Sequence, residues 1–389
     1  MISNVKFPLG HLRLMAFAVF CPGAILAQVW TPTSAPTKNW QAVAMSADGS
    51  KLVAAANAGG IFTSTNFGAT WISNNAPLVA WDAVTSSADG TRMAAAFSGV
   101  GGIYTSVDGG ATWNSSAPAT FGWLSLSCSA DGGILAAATP SGNAVYVSTN
   151  FGISWRTNPF PTGIFDANTV AVSASGNRLA AGNNNGYLLV STNLAATWNV
   201  TNHFSGTFRS IAVSADGSTL ATVWGGATAY ISTNGGVSFT PSGVANSDFV
   251  SIAASADGTR LVTVGGTSTA VSAFSTNAGM NWTTNSQPAP AWRAVASSAD
   301  GNFVAAAASS GGIWLRRTAV PPRINIVPSG SLLKLSWTLP FTNFVLQQSA
   351  DLHNWAALTG SPTLNLLTLQ EELTVTPTNR STFYRLTTP

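Results

Sequence analysis

Charge is scarce in this chain of 389 residues: 7% of them are charged, with 16 Lys plus Arg against 13 Asp plus Glu. Lys6 and Arg13 sit at the start, ahead of an apolar run from Leu14 to Phe20 and the small-residue segment Ala24-Ile25-Leu26-Ala27. Basic, apolar and small-residue regions in that order read as a secretory signal peptide over residues 1–27, cut after Ala27. Phe20 is bulkier than the residue a lipoprotein signal places before its cysteine, which argues against lipid attachment at Cys21. Without Lys6 and Arg13 the exported chain has 14 bases against 13 acids. That near-neutral balance gives no electrostatic case for nucleic acid or an anionic membrane. No later apolar run is long enough to span a bilayer, so no transmembrane segment is expected.

The reactive residues are equally sparse. Cys128 is the one cysteine after residue 27, so the exported chain has no intramolecular disulfide. His203 and His353 are far apart, and no His/Cys/carboxylate group has metal-ligand spacing. Neither a metal nor another cofactor is expected. Cys128 falls in a strand and reads as a small buried hydrophobe. Glu371 and Glu372 are the only glutamates, both near the C-terminus.

What the chain has is small side chains, 37 glycines and a repeat. Ala-Asp-Gly recurs around Asp48, Asp89, Asp131, Asp216, Asp257 and Asp300, with Ser175-Gly176 in the fourth copy. The steps are 41, 42, 44, 41, 41 and 43 residues, the spacing of propeller blades. The first copy reads Trp40-Gln-Ala-Val-Ala-Met-Ser, then the Asp48-Gly49 turn, then Lys51-Leu-Val-Ala-Ala-Ala. A Gly59-Gly60 turn follows, then Ile61-Phe-Thr-Ser, and a last turn before Thr70-Trp71. Four short strands per copy predict one antiparallel sheet each. The seventh copy lacks its Thr-Trp strand, whereas Val29-Trp30 stands unpaired ahead of Ala35-Pro36 and Trp40. Thr70-Trp71 precedes Ala76-Pro77 and Trp81 in the same way, as Thr112-Trp113 precedes Ala117-Pro118 and Trp123. The expected fold is therefore all-β: a seven-bladed β-propeller over 28–318, its last blade closed by the N-terminal strand. Pro321-Pro322 marks a linker, and strand-like alternation over 319–389 predicts a small β-sandwich-like domain.

The third turn of each copy carries a known signature. Ser106-Val-Asp108-Gly109-Gly110-Ala-Thr112-Trp113 resembles the Asp-box, or bacterial neuraminidase repeat. Variants place Asn66, Asn150, Asn193, Asn234 and Asn277 where Asp108 stands. Asn accepts backbone N–H bonds in such a turn and tolerates left-handed φ. In Asp-box families this turn is structural and lies opposite the ligand face. The superfamily includes sialidases, xyloglucanase-type glycosidases, sortilin-like receptors and photosystem II assembly factor propellers. The sialidase activity that the resemblance admits needs a glutamate beside a tyrosine and three arginines, and residues 28–318 contain no glutamate. The frame Leu335-Ser-Trp337, Leu346 to Trp355 and Phe383-Tyr-Arg-Leu386 resembles the fibronectin- or immunoglobulin-like C-terminal domains of bacterial secreted proteins, which implies an accessory or attachment role.

Candidate site residues come from the start of each first strand. Trp40, Trp81, Trp123, Ala167, Phe208, Phe249 and Trp292 stand eight residues before each Asp-Gly position. The residues after them, Gln41, Asp82, Leu124, Asn168, Arg209, Val250 and Arg293, vary in chemistry. The aromatics either stack on a ligand or pack between blades; Gln41, Asp82, Asn168, Arg209 and Arg293 are the candidates for polar contacts at a channel mouth. The loop from Thr157 to Asn168 adds Phe160 and Phe165. Apart from the turn aspartates, Asp82, Asp166 and Asp248 remain, either as backbone acceptors or as a glycosidase pair. The reading is an exported, non-catalytic binding or scaffold protein, expected to be monomeric, for a glycan, peptide or protein. The alternative is a divergent glycoside hydrolase using Asp82, Asp166 or Asp248.

Overall fold

The computed structural model describes residues 29–389 except 100–101, 117–121, 204–205, 226–227, 245–247, 267–269, 288–290, 319–323, 330, 339–344, 352, 359, 377–381 and 388–389. The proposed signal peptide, Ala117-Pro118 and the Pro321-Pro322 linker lie outside the described residues. Every named element is a strand.

Among the described residues up to Arg317, seven four-stranded antiparallel sheets follow one another. Their inner strands are Trp40–Met45, Trp81–Ser86, Ser125–Cys128, Thr169–Val172, Phe208–Val213, Phe249–Ala254 and Trp292–Ser297. Each inner strand lies beside the next, and the seventh lies beside the first. The second strands are buried on both faces, and alanine fills them: Ala54, Ala55 and Ala56, Ala94 to Ala96 and Ala136 to Ala138 are all 0% exposed. Small side chains let neighbouring sheets converge toward the axis, while larger ones fill the wedge that opens outward.

The Asp-Gly turns seal one end of the ring. Asp48 Oδ1 accepts from Ser50 N at 3.0 Å, and Ser46 Oγ accepts from Lys51 N at 3.0 Å. Corresponding bonds recur at Asp89, Asp131, Asp216, Asp257 and Asp300. Just before each turn an alanine N–H donates to the carbonyl of its counterpart in the next sheet. The bonds run Ala47 to Ala88, Ala130, Ala174, Ala215, Ala256, Ala299 and back to Ala47, at 2.7–3.0 Å.

The seventh sheet takes its outer strand from the chain's other end. Thr31–Pro32 pairs with Ile313–Arg317, Thr31 opposite Leu315 and Pro32 opposite Trp314. Trp30 is 2% exposed; it packs on Trp292 (5.2 Å between centroids) and Phe274 (6.0 Å), and its Nε1 donates to Ser272 Oγ at 3.1 Å. The hydrogen-bonded pair is thus Thr31–Pro32, and Trp30 acts as the side-chain wedge just before it.

In the third turns, Gly68 N donates to Ser64 Oγ (2.9 Å) and Thr70 N to Asn66 Oδ1 (2.8 Å). The same pair of bonds forms around Asp108, Asn150, Asn193, Asn234 and Asn277. The left-handed backbone falls on the residue after the Asn, not on the Asn itself: Phe67 has φ 55°, Phe151 53°, Leu194 57° and Ala278 53°. Side-chain and backbone bonds from Thr112, with one from Ser106, hold the Asp108 carboxyl down to about 2.

Beyond residue 324 lie two further sheets. One contains Asn325–Ser329, Leu332–Thr338, Gln370–Val375 and Thr363–Asn365; the other contains Ala356–Ala357, Val345–Ser349 and Phe383–Thr387. Leu335, Trp337, Leu346 and Tyr384 pack between them. This unit touches the ring: Leu369 rests on the alanine collar of Ala47, Ala215, Ala256 and Ala299. Asn365 shapes the loop that carries Leu369, its Oδ1 accepting from Leu367 N at 2.9 Å and its carbonyl from Leu369 N at 2.8 Å.

Candidate functional site

The end of the ring opposite the Asp-Gly turns carries the positions that differ from sheet to sheet. In five of the sheets the first two strands slip register there. The slips fall between Trp40 and Ala42, Trp81 and Ala83, Phe208 and Ser210, Phe249 and Ser251, and Trp292 and Ala294. The residues inside these bulges are Gln41, Asp82, Arg209, Val250 and Arg293. A bulge removes one residue from the ladder and re-aims its side chain. Here it does so at the same height around one mouth, while the residue before it stays in the wall.

That wall is closed. Trp40, Trp81 and Trp123 are 0% exposed and Trp292 1%. Trp40 meets Phe62 edge-on at 5.3 Å, Trp123 meets Tyr146 at 5.1 Å, and Trp81 Nε1 donates to Pro77 O at 3.0 Å. Of the two roles open to these four indoles, stacking on a ligand or packing, their burial matches packing: each fills the wedge between adjacent sheets. Phe160 is likewise buried against Trp198 (5.5 Å), whereas Phe165 is half exposed.

The bulged residues remain accessible. Arg209 and Arg293 are exposed, and Gln41 and Asp82 are partly so. Arg209 Nη1 reaches Phe249 O in the next sheet at 3.3 Å. Gln41 Nε2 donates to Asn39 Oδ1 at 3.2 Å. Asn168, unbulged but at the same height, donates from Nδ2 to Asn184 Oδ1, and its backbone N–H binds Gly182 O at 2.9 Å.

The three aspartates are held apart in role. Asp82 Oδ2 accepts from Ser98 N at 2.6 Å and so ties the loop between the second and third strands to the inner strand. Asp166 adopts φ 64° in the loop before Thr169–Val172. Asp248 accepts at its carbonyl from Gly266 N at 3.1 Å; a Cβ on Gly265 would lie 2.1 Å from that oxygen, which is why glycine stands there. Among the described residues no three His, Cys, Asp or Glu side chains form a group fit to hold a metal. The described side chains do not include that of His203.

The other end of the axis was not anticipated. A cavity of about 150 Å³ lies inside the alanine collar, bounded by Met45, Cys128, Val172 and Val213, and Leu369 covers it. Cys128 faces this space. Its sulfur accepts from Thr85 Oγ1 and donates to Ser86 O, each at 3.2 Å, and burial pushes the thiol up to about 11. Half-burial of Glu371 raises its carboxyl, and the Asp48 charge across the contact adds to the rise. The contact comes from a turn in which Leu364, Leu366, Leu367 and Leu369 alternate with Asn365 and Thr368.

A closed ring of radial four-stranded sheets around a channel is a β-propeller. No protein-family model and no curated protein matches the sequence. Solved propellers do match in shape. YCF48 from Cyanidioschyzon merolae aligns at 15% identity and TM-score 0.57, over 74% of this chain and 98% of its own. The GH74 xyloglucanase from Xanthomonas campestris aligns at 13% identity and TM-score 0.60 over 80% of this chain, and an ancestral GH74 enzyme at 13% and 0.58 over 80%. These matches span 59% and 54% of the two GH74 proteins. At such identities the likeness is one of fold. Among the described residues no helix is long and apolar enough to cross a membrane.

Proposed function

We propose that this chain is an exported, monomeric, non-catalytic binding propeller of the Asp-box type, with seven blades over 28–318 and an accessory C-terminal domain over 319–389. It recognises a glycan, peptide or protein at the mouth opposite the Asp-Gly turns. One observation carries the reading: the bulges place Gln41, Asp82, Arg209 and Arg293 at one height around one channel, on a scaffold whose repeated residues are all engaged in turns and packing. Exposed guanidiniums on a rigid rim suit an acidic or hydrogen-bonding partner.

The glycosidase alternative assigns catalysis to Asp82, Asp166 or Asp248. The bond from Ser98 N to the Asp82 carboxylate favours a structural task for that residue. The test is a glycan and peptide array with the intact protein, followed by Arg209→Ala and Arg293→Ala. Loss of a captured ligand in either variant supports the mouth site; retention in both moves the site elsewhere. Hydrolysis of xyloglucan that disappears in Asp82→Asn, Asp166→Asn or Asp248→Asn would replace the binding reading with the enzymatic one.

A further inference from the structure

Each third turn in the ring leans on the sheet before it. A Cβ on Gly110 would touch Thr63 of the first sheet, one on Gly152 Thr105 of the second, one on Gly236 Val190 of the fourth, and one on Gly279 Ile231 of the fifth. Gly68 of the first sheet leans in the same way on Leu315 of the seventh. In the first, second, fourth and fifth sheets the receiving residue stands just before the turn serine of its own sheet. By that rule a seventh turn would rest on Phe274, which precedes Ser275. Among the described residues the seventh sheet shows no such turn: its outer strand comes from Thr31–Pro32 and its third strand ends at Arg317.

The unfilled place is a cleft of about 370 Å³ between the sixth and seventh sheets. Arg316 lies on its floor, 6% exposed, with the guanidinium carbon 3.6 Å from the centroid of Phe274. Arg260 faces the same space, its stem covering Gly301. Burial, then the Arg260 charge, pull the Arg316 guanidinium down to about 10. Leu261, Val262 and Val304 give the cleft an apolar side, Asn277, Asn281, Thr283 and Thr318 add amides and hydroxyls, and among the described residues no carboxylate lines it. Asn277 is unusual among the turn asparagines. Elsewhere the amide nitrogen binds a hydroxyl four residues on, as Asn66 binds Thr70 at 2.9 Å and Asn234 binds Ser238 at 2.8 Å. In the sixth sheet that hydroxyl is replaced by Asn281, so a second amide joins the rim. The acid closest in sequence to the seventh sheet's wall, Asp300, accepts from Ser298 and Asn302 at 2.6 and 2.9 Å and offsets part of the Arg260 charge from outside the lining, leaving Arg316 without a carboxylate among the cleft's described lining residues.

We propose that this cleft is an oxyanion site, taking a carboxylate or sulfate group between Arg260 and Arg316 with amide and hydroxyl donors at its rim. The physical reason is charge balance. Two guanidiniums facing one recess repel each other, and an anion between them turns that repulsion into two charge-assisted contacts. The site lies at the opposite end of the blades from the channel mouth and is independent of the function proposed for it.

The test is calorimetric titration of the full chain with two probes at constant ionic strength: inorganic sulfate, and a glucuronate oligosaccharide. Saturable binding of sulfate alone indicates a free-anion site; binding of both indicates a group carried on an acidic sugar. Either result supports the proposal if Arg260→Gln weakens it by about tenfold or more. Arg316→Lys keeps the charge while losing the planar fork, and is expected to weaken binding without unfolding the sheet, as judged by an unchanged circular dichroism spectrum. Should neither probe bind saturably, or should the Arg260→Gln protein bind as wild type does, the proposal is wrong.

Discussion

Replacing Trp30 by alanine tests the closure of the ring. The indole is 2% exposed and wedged between Trp292 and Phe274, yet it lies more than 240 residues away from both in sequence. Truncating a buried tryptophan costs about 3–5 kcal/mol in lost burial and residual cavity. The Nε1 bond to Ser272 Oγ goes too, but that hydroxyl also donates to Asn285 O at 3.4 Å and is not orphaned. For a unit the size of residues 29–318, an unfolding entropy of about 2.1 cal/mol/K per residue gives about 0.6 kcal/mol per degree. Trp30→Ala is therefore expected to lower Tm by about 5–8 °C in a calorimetric scan. Were Thr31–Pro32 not the seventh sheet's outer strand, Trp30 would be a surface residue near a chain end. Its replacement would then move stability by less than about 0.5 kcal/mol, or under about 1 °C. A shift of that size refutes the closure.

Two other perturbations probe the lower end of the ring. In a Cys21→Ser background, Leu369→Asp is expected to uncover the channel cavity, so that Cys128 reacts with a small maleimide several-fold faster than in the parent. Because burial raises the thiol to about 11, the parent's rate at neutral pH should be low and still rising with pH without levelling off; equal rates in the two proteins would show that Leu369 is not the cover. Asp108→Asn copies the residue found in the other five turns and should leave stability at pH 7 nearly unchanged. The Asp108 carboxyl is held down to about 2 in the fold, so its stabilising contribution is full above the ordinary carboxylate range and is lost as pH falls through about 4 to 2. Acid unfolding of the variant should therefore be shallower across that window, and an identical profile would contradict the hydrogen-bond account.

The repeat was legible because the ring uses the same local chemistry seven times. Asp48 and its counterparts report a turn through a side-chain to backbone bond within two residues, and a sequence displays such bonds directly. The closing strand was legible by subtraction, since Trp30 stood where five of the other six copies have a fourth-strand tryptophan and the fifth has Phe239. The candidate mouth was half legible. The variability of Gln41, Asp82, Arg209 and Arg293 pointed to positions that lie in bulges, but those bulges depend on pairing with a strand a dozen or more residues away. The tryptophans before them could not be assigned to wall or ligand from sequence, because an exposed ring of aromatics and a buried one have the same spacing. Leu369 was invisible for a similar reason: nothing in a turn of four leucines with Asn365 and Thr368 says which distant surface one of them covers. The cleft over Phe274 follows from the missing seventh turn only once the leaning of each turn on its neighbour is seen.

The seven alanine hydrogen bonds around the collar all point the same way, each N–H to the carbonyl of the following sheet, with the last returning to the first. A chain of donors and acceptors normally has two ends, each leaving a group to be capped by water or a side chain. A cycle has none. No blade is therefore first or last for the collar, whatever the order of synthesis: each alanine both gives an N–H to the next and receives at its carbonyl from the one before. It follows that the chain's ends could be moved to another sheet's third turn, by joining the present closure and opening a new one, without leaving a single collar group unsatisfied.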